Sequence, residues 1–148
     1  MTDSSASPFS VPARIEASHD RVRAYWAGLR RGENAIPFWD DVKLASLDKL
    51  ADDAMLLDVF GNPARFRLAI VGKNIEAAYG RPIDGKFLDE LDLRPPFDKL
   101  AAQCRTAVER RTPTYFHSEA YRYSRLVLPL WGEGRVSMLL AAVVANSS

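Results

Sequence analysis

Between Ser18 and Arg31 the apolar residues Val22, Tyr25, Trp26 and Leu29 recur at i, i+3, i+4 and i+7, the spacing that gathers them on one face of an α-helix. Ser18 supplies an N-cap and Gly32 a stop. The pattern breaks at Pro37, where Phe38 and Trp39 serve as anchors of a connector, and resumes as a short helical repeat around Ser46 to Leu50. From Ala54 the period changes to two. Ala54 to Phe60 (AMLLDVF) and Arg65 to Val71 (RFRLAIV) are β-like runs, and the turn residues Gly61-Asn62-Pro63 between them predict a hairpin. In the second run Phe66, Leu68 and Ile70 alternate with Arg65, Arg67 and Ala69, which directs the apolar set inward.

Tight punctuation follows. Asn74 to Tyr79 is at most two helical turns between Gly72 and Gly80, Arg81 to Lys86 is a loop holding Pro82 and Gly85, and Phe87 to Leu91 is a further turn. A strand followed by short, glycine-bounded helices builds the wall of a small cavity over a sheet. Pro95 and Pro96 open a longer helix, where a missing N–H costs nothing. Along it Phe97, Leu100, Ala101, Cys104, Ala107 and Val108 hold one stripe until Arg110-Arg111-Thr112-Pro113 ends it. Three strands complete the pattern: Thr114 to Ala120, Tyr121 to Trp131 and Arg135 to Val144, the last two joined by Gly132-Glu133-Gly134. In the final strand Met138, Leu140 and Ala142 on one side and Leu139, Ala141 and Val143 on the other are all apolar or small, so it is expected to be buried on two faces. The helix of 18–31, or a second copy of the chain, is the obvious cover for the far face.

Composition narrows the class. The chain has 148 residues, 47% hydrophobic and 26% charged, the proportions of one globular domain that needs no metal or disulfide to hold a core. A net charge of +1 supplies no field for a phosphate backbone, so nucleic acid is not an expected partner. Arg21, Arg23, Arg30 and Arg31 lie on this helix, are answered by Glu16, Asp20 and Glu33, and read as a solvated face. Cys104 is the single cysteine. The opening MTDSSASPFSVPA lacks the features of a secretory signal, and the longest apolar run, Met138 to Ala145, is too short to cross a bilayer. A cytoplasmic protein without membrane contact is the expectation, divided into a mobile tail (1–17), a helix with its connector (18–53) and a core (54–148).

The order helix, strand, strand, short helices, long helix, strand, strand, strand resembles a PAS domain, and more closely the small bacterial proteins that consist almost solely of one. The resemblance is carried by YWAGLRRG at Tyr25 to Gly32, FRLAIVGKNIEAAYGRPIDGKFLDEL at Phe66 to Leu91 and RLVLPL at Arg125 to Leu130. It implies an α+β fold with a five-stranded antiparallel sheet in the order 2-1-5-4-3, short helices on one face and a cavity between. It also implies a signal receiver or dimerisation module. With no room for an effector domain, such a chain would act through a small molecule, a regulatory partner protein, or both.

The candidate chemistry is sparse. A flavin photosensor of this fold carries a cysteine near its short helices, and Asn74 to Gly80 has none; a haem sensor takes its ligand from the long helix, and Pro95 to Arg111 has no histidine. Both counts speak against flavin and haem, with His117 on the next strand the one open point. No phosphate loop or clustered metal pattern is present. A nucleophilic set of Cys104, His117 and Asp58 or Glu119 can be written down, but core cysteine and surface histidine are the better readings, and no enzyme is expected. A small apolar or amphipathic ligand would meet Phe66, Leu68, Tyr79, Leu88, Cys104, Val108, Leu126 and Leu128, with Tyr79, Arg122 and Ser124 as polar groups a ligand would satisfy. The alternative is that these side chains fill the core. Val22, Tyr25, Trp26 and Leu29 are the candidate surface of a homodimer.

Overall fold

A computed structural model describes residues 9–61 and 63–145. Five strands form one antiparallel sheet: β1 (Ala54–Phe60), β2 (Arg65–Val71), β3 (Thr114–Ser118), β4 (Tyr123–Gly132) and β5 (Arg135–Ala145). Their order across the sheet is β2-β1-β5-β4-β3, as the resemblance implies. β5 is central and has apolar side chains on both faces. Leu139 and Ala141 enter one core and Leu140 and Ala142 the other, because successive residues of a strand point to opposite sides.

On the first face lie α2 (Lys73–Tyr79), a 3-10 turn at Leu88–Glu90 and α3 (Leu100–Arg110). Phe97, Leu100, Cys104 and Ala107 meet Leu57, Leu68, Val127 and Leu139 there. α3 starts at Leu100, after Lys99 has turned through φ 61°. The two prolines therefore precede the helix and do not occupy its first turn. Gly80 closes α2 at φ 105°, a conformation in which a Cβ would be strained.

The opposite face is covered by the chain's own N-terminal region. α1 (Ala17–Gly28) begins one residue before the expected cap and ends four residues before Gly32. Val22 and Trp26 are buried against Leu126, Leu128 and Leu140, with Leu47 of a kinked 3-10 segment (Leu44–Asp53) beside them. Of the four residues expected to form a homodimer surface, Val22 and Trp26 pack instead on their own sheet. Tyr25 is half-buried and its hydroxyl accepts from Lys43 N (2.7 Å) and lies 3.2 Å from Lys43 O; Leu29 is half-buried.

Trp26 also closes a gap in the sheet. β3 pairs with β4 only from Tyr123 to Val127, so the outer edge of β4 is open beyond that point. Pro129, which has no N–H to leave unpaired, sits on this open edge, and Trp26 Nε1 donates to its carbonyl at 2.8 Å. Two residues on, Trp131 N donates to Pro37 O at 2.8 Å. The packed chain also begins earlier than the expected tail boundary: Phe9 is buried and its carbonyl accepts from Tyr115 N. The rest of that tail, 1–8, lies outside the described residues.

One inward assignment is corrected. Phe66 and Leu68 are buried, but Ile70 is 50% exposed. A bulge shifts the register, so that Leu57 faces Leu68 while Leu56 faces Ile70. The extra residue reverses the alternation, and Val71 takes the inward place beside the core.

Candidate functional site

The ligand residues expected from the sequence separate into two groups. Phe66, Leu68, Tyr79, Leu88 and Cys104 share the helix-side core, with Val108 packed against it. Leu126 and Leu128 belong to the opposite core under α1, so they are corrected out of the set; the inward residues of β4 on the helix side are Arg125 and Val127. Arg122 is exposed, at φ 57° in the turn between β3 and β4, and does not enter an apolar site. Ser124 is buried, but on the α1 side. Tyr79 does need a partner and has one inside the chain: its hydroxyl donates to Asp92 O at 2.7 Å.

The helix-side core is closed at its centre. Leu68, Phe97, Leu100 and Cys104 each have 0% of their surface accessible, so no void large enough for water touches them. Burial pushes the Cys104 thiol up to about 12, which leaves it a neutral, unreactive core group. His117 is exposed on β3, and Asp58 holds Arg67 at 2.6 Å on β1. With β5 and β4 between those strands, the Cys104, His117 and Asp58 set is not assembled; Glu119 lies in the exposed turn after β3.

Two buried polar clusters were not anticipated. In the first, Arg125 is fully buried on β4, and its guanidinium donates to Gln103 Oε1 (2.7 Å), Pro96 O (2.7 Å) and Asp98 O (3.0 Å). Desolvation lowers its pKa to about 10, so it remains a cation at neutral pH. It ties the approach to α3, and Gln103 within it, to the sheet. Tyr123 hydroxyl donates to the Asp98 carboxylate beside it.

In the second, Ser124 Oγ donates to Glu16 Oε2 (2.7 Å), Tyr115 hydroxyl donates to Glu16 Oε1 (2.8 Å), and His19 Nε2 lies 3.0 Å from Ser124 Oγ. Ser124 commits its single proton to Glu16, so the histidine contact is an Nε2–H donation and Nδ1 carries a lone pair. That Nδ1 is buried and without a partner. Burial lowers the His19 pKa against the pull of Glu16. Burial alone would raise the Glu16 pKa, but hydrogen bonds from Ser124, its own backbone and Tyr115 together hold it below the usual carboxylate value. Burial, with Glu16 adjacent, raises Tyr115 to about 12. No carboxylate orients His19 Nδ1 as a Ser-His-acid relay requires, and the serine and histidine are closed to solvent. The arrangement fastens α1 to β3 and β4.

An open cleft of about 280 Å³ lies instead at the end of the helix-side core, lined by Asn34, Ala35, Ile36, Phe38, Arg111 and Trp131. Residues 34–41 form a strap over the β4–β5 hairpin. Phe38 bridges Trp131 in parallel sense, and Trp39 lies so close over Gly132 that a Cβ there would come within 2.4 Å of its ring. Arg31 fixes the strap from the other side, making a two-point pair with Asp41 (2.7 and 2.8 Å) and stacking on Phe38 at 4.6 Å.

Among the described residues no group of His, Cys, Asp and Glu is placed to hold a metal ion, and no helix is long and apolar enough to cross a membrane. No family model, curated protein or solved structure matches the chain.

Proposed function

We infer that the chain is a PAS-like regulatory module that binds a small amphipathic ligand and signals through protein contacts, without catalysis of its own. The observation that carries this reading is the open cleft of Ile36, Phe38 and Trp131 with Arg111 at its side, a small concave apolar surface with a polar group to orient an occupant. It moves the ligand from the centre of the core, where the sequence had put it, to the mouth. Trp39, Phe60 and Ile70, three exposed large apolar side chains, offer the surface for a regulatory partner. A thermal-shift screen of metabolites, backed by native mass spectrometry of freshly purified protein, tests the reading: saturable stabilisation by an amphipathic compound supports it, and indifference to the whole screen overturns it.

The closed centre around Leu68 and Cys104 favours a second reading, a ligand-free adaptor whose core is filled by its own side chains. That reading expects a stable partner in pull-downs and no response in the screen.

A further inference from the structure

The six residues around the cleft divide sharply by chemistry. Ala35, Ile36, Phe38 and Trp131 give apolar walls, while Asn34 and Arg111 give the polar side chains. Arg111 is the one charge among them. Its guanidinium lies over the Trp131 ring at 5.3 Å and, among the described residues, has no carboxylate within ion-pair distance. Stacking occupies only the face of a guanidinium; its N–H donors lie in the plane and stay available. Asn34 is exposed and its carboxamide has no hydrogen-bond partner among the described residues either. By contrast Arg31, on the far side of Phe38, is matched by Asp41.

Two uncommitted donor groups beside an apolar wall describe a receptor for a molecule with an anionic head and an apolar body. One arginine and one carboxamide match the two acceptor oxygens and single charge of a carboxylate. A phosphoryl head, with nearly twice the charge, would call for further cations, and none lines the cleft. Resting on the reading of the chain as a ligand-binding module, we propose that this cleft takes a small monocarboxylate with an aromatic or short aliphatic body, its head on Arg111 and Asn34 and its body against Trp131, Ile36 and Phe38. Such an occupant touches both the hairpin end and the strap, so it bears on Phe38 and, through Arg31, on the segment that follows α1.

The test is a titration of the full ¹⁵N-labelled chain with 4-phenylbutyrate, and with 4-phenylbutan-1-ol as its uncharged counterpart, reading the indole N–H of Trp131 by NMR; Trp131→Phe identifies that signal among the three tryptophans. The expected result is a saturable Trp131 shift with the carboxylate and binding about tenfold weaker for the alcohol. Arg111→Asn, whose side chain accepts the φ of 54° found here, weakens the carboxylate far more than the alcohol and so closes the gap between the two. Asn34→Asp, an exposed change, weakens the carboxylate alone. Equal binding of alcohol and carboxylate, or insensitivity to both substitutions, overturns the carboxylate assignment while the ligand-binding reading stands. A Trp131 signal unmoved by either probe, with metabolites still stabilising the protein, overturns the site. Failure of both probes and of the metabolite screen overturns the site and the reading together.

Discussion

His19 Nε2 and Ser124 Oγ meet at 3.0 Å, joining α1 to β4 across 105 residues of chain in a place closed to water. Both residues have 0% of their surface accessible, and the bond sits at the head of the helix that covers the second face of the sheet. Its neighbours are Glu16 on the approach to α1, Tyr115 on β3 and, farther off, Asp53 at the end of the kinked 3-10 segment.

This cluster makes stability fall in mild acid. The folded pKa of His19 is depressed by burial, so the unfolded chain binds the proton more readily, and stability is lost as pH drops below the ordinary histidine value of 6.5. The folded pKa of Glu16 is also depressed, and its contribution is lost as pH falls below the ordinary 4.5. Both act in one direction. Urea denaturation at pH 8, 6 and 5 should show a falling midpoint, and His19→Gln should flatten the part between pH 7 and 5; a midpoint unchanged from 8 to 5 would contradict the account.

Ser124→Ala removes the proton given to Glu16 and the oxygen that receives His19 Nε2–H. Leaving the buried His19 Nε2–H unpaired, while Glu16 keeps Tyr115 as a donor, should cost about 1–3 kcal/mol, measured by chemical denaturation at pH 7. Ser124→Thr, which keeps the hydroxyl, should lose less.

Trp26→Phe tests whether α1 is an internal cover or a surface between copies. The indole donation to Pro129 O is lost, and a buried carbonyl at the open edge of β4 is left bare, so stability should drop by about 1–3 kcal/mol. The mass measured by sedimentation should not change. A shift in association state with stability intact would return Trp26 to the role of a contact between copies.

Arg125→Lys should not rescue Arg125→Met. Three donors fixed in one plane reach Gln103, Pro96 and Asp98, and an ammonium on a flexible stem cannot reproduce that fork. Each substitution should cost about 2–4 kcal/mol and free the approach to α3, which hydrogen exchange at Leu100 to Cys104 would report as lost protection.

Gly72 is held by close approach, not by an unusual φ. A Cβ there would lie 2.3 Å from Asp52 O and 2.7 Å from Ala51 O, both backbone atoms that cannot swing away. Gly72→Ala should therefore cost about 1–3 kcal/mol through overpacking. At Gly85, where nothing lies within 4 Å, the φ of 82° sets the smaller cost of about 1 kcal/mol. Thermal unfolding of the two variants side by side ranks them.

Much of this fold was legible in the chain. The bounds of β1 and β2, the glycine-bounded α2, the α3 stripe and the two-sided β5 follow from period and punctuation, because each depends on local spacing. Ile70 escapes the pattern because a bulge is set by pairing with β1 and leaves no mark in the alternation of one strand. The side taken by Leu126 and Leu128 is not legible because β4 is apolar on both sides at that level, so alternation does not say which side faces α3. His19 did leave a signal: it stands three residues before Val22 and seven before Trp26, on the buried stripe of α1. Arg125 left one too, as a lone charge within SRLVLPL. The cleft was not legible at all, since Asn34, Arg111 and Trp131 lie in separate segments and only tertiary packing brings them together.

The strand order has a consequence for the way the chain comes together. β1 with β2 and β3 with β4 are hairpin neighbours, but the strand that joins these halves, β5, follows both in the sequence. Until Arg135 to Ala145 is available, neither the inner edge of β1 nor that of β4 has its partner in the sheet. The inner edges of β1 and β4 are thus the unpaired edges that a chain lacking β5 would offer to other strands, and β5 is the strand through which the two halves of the sheet are joined.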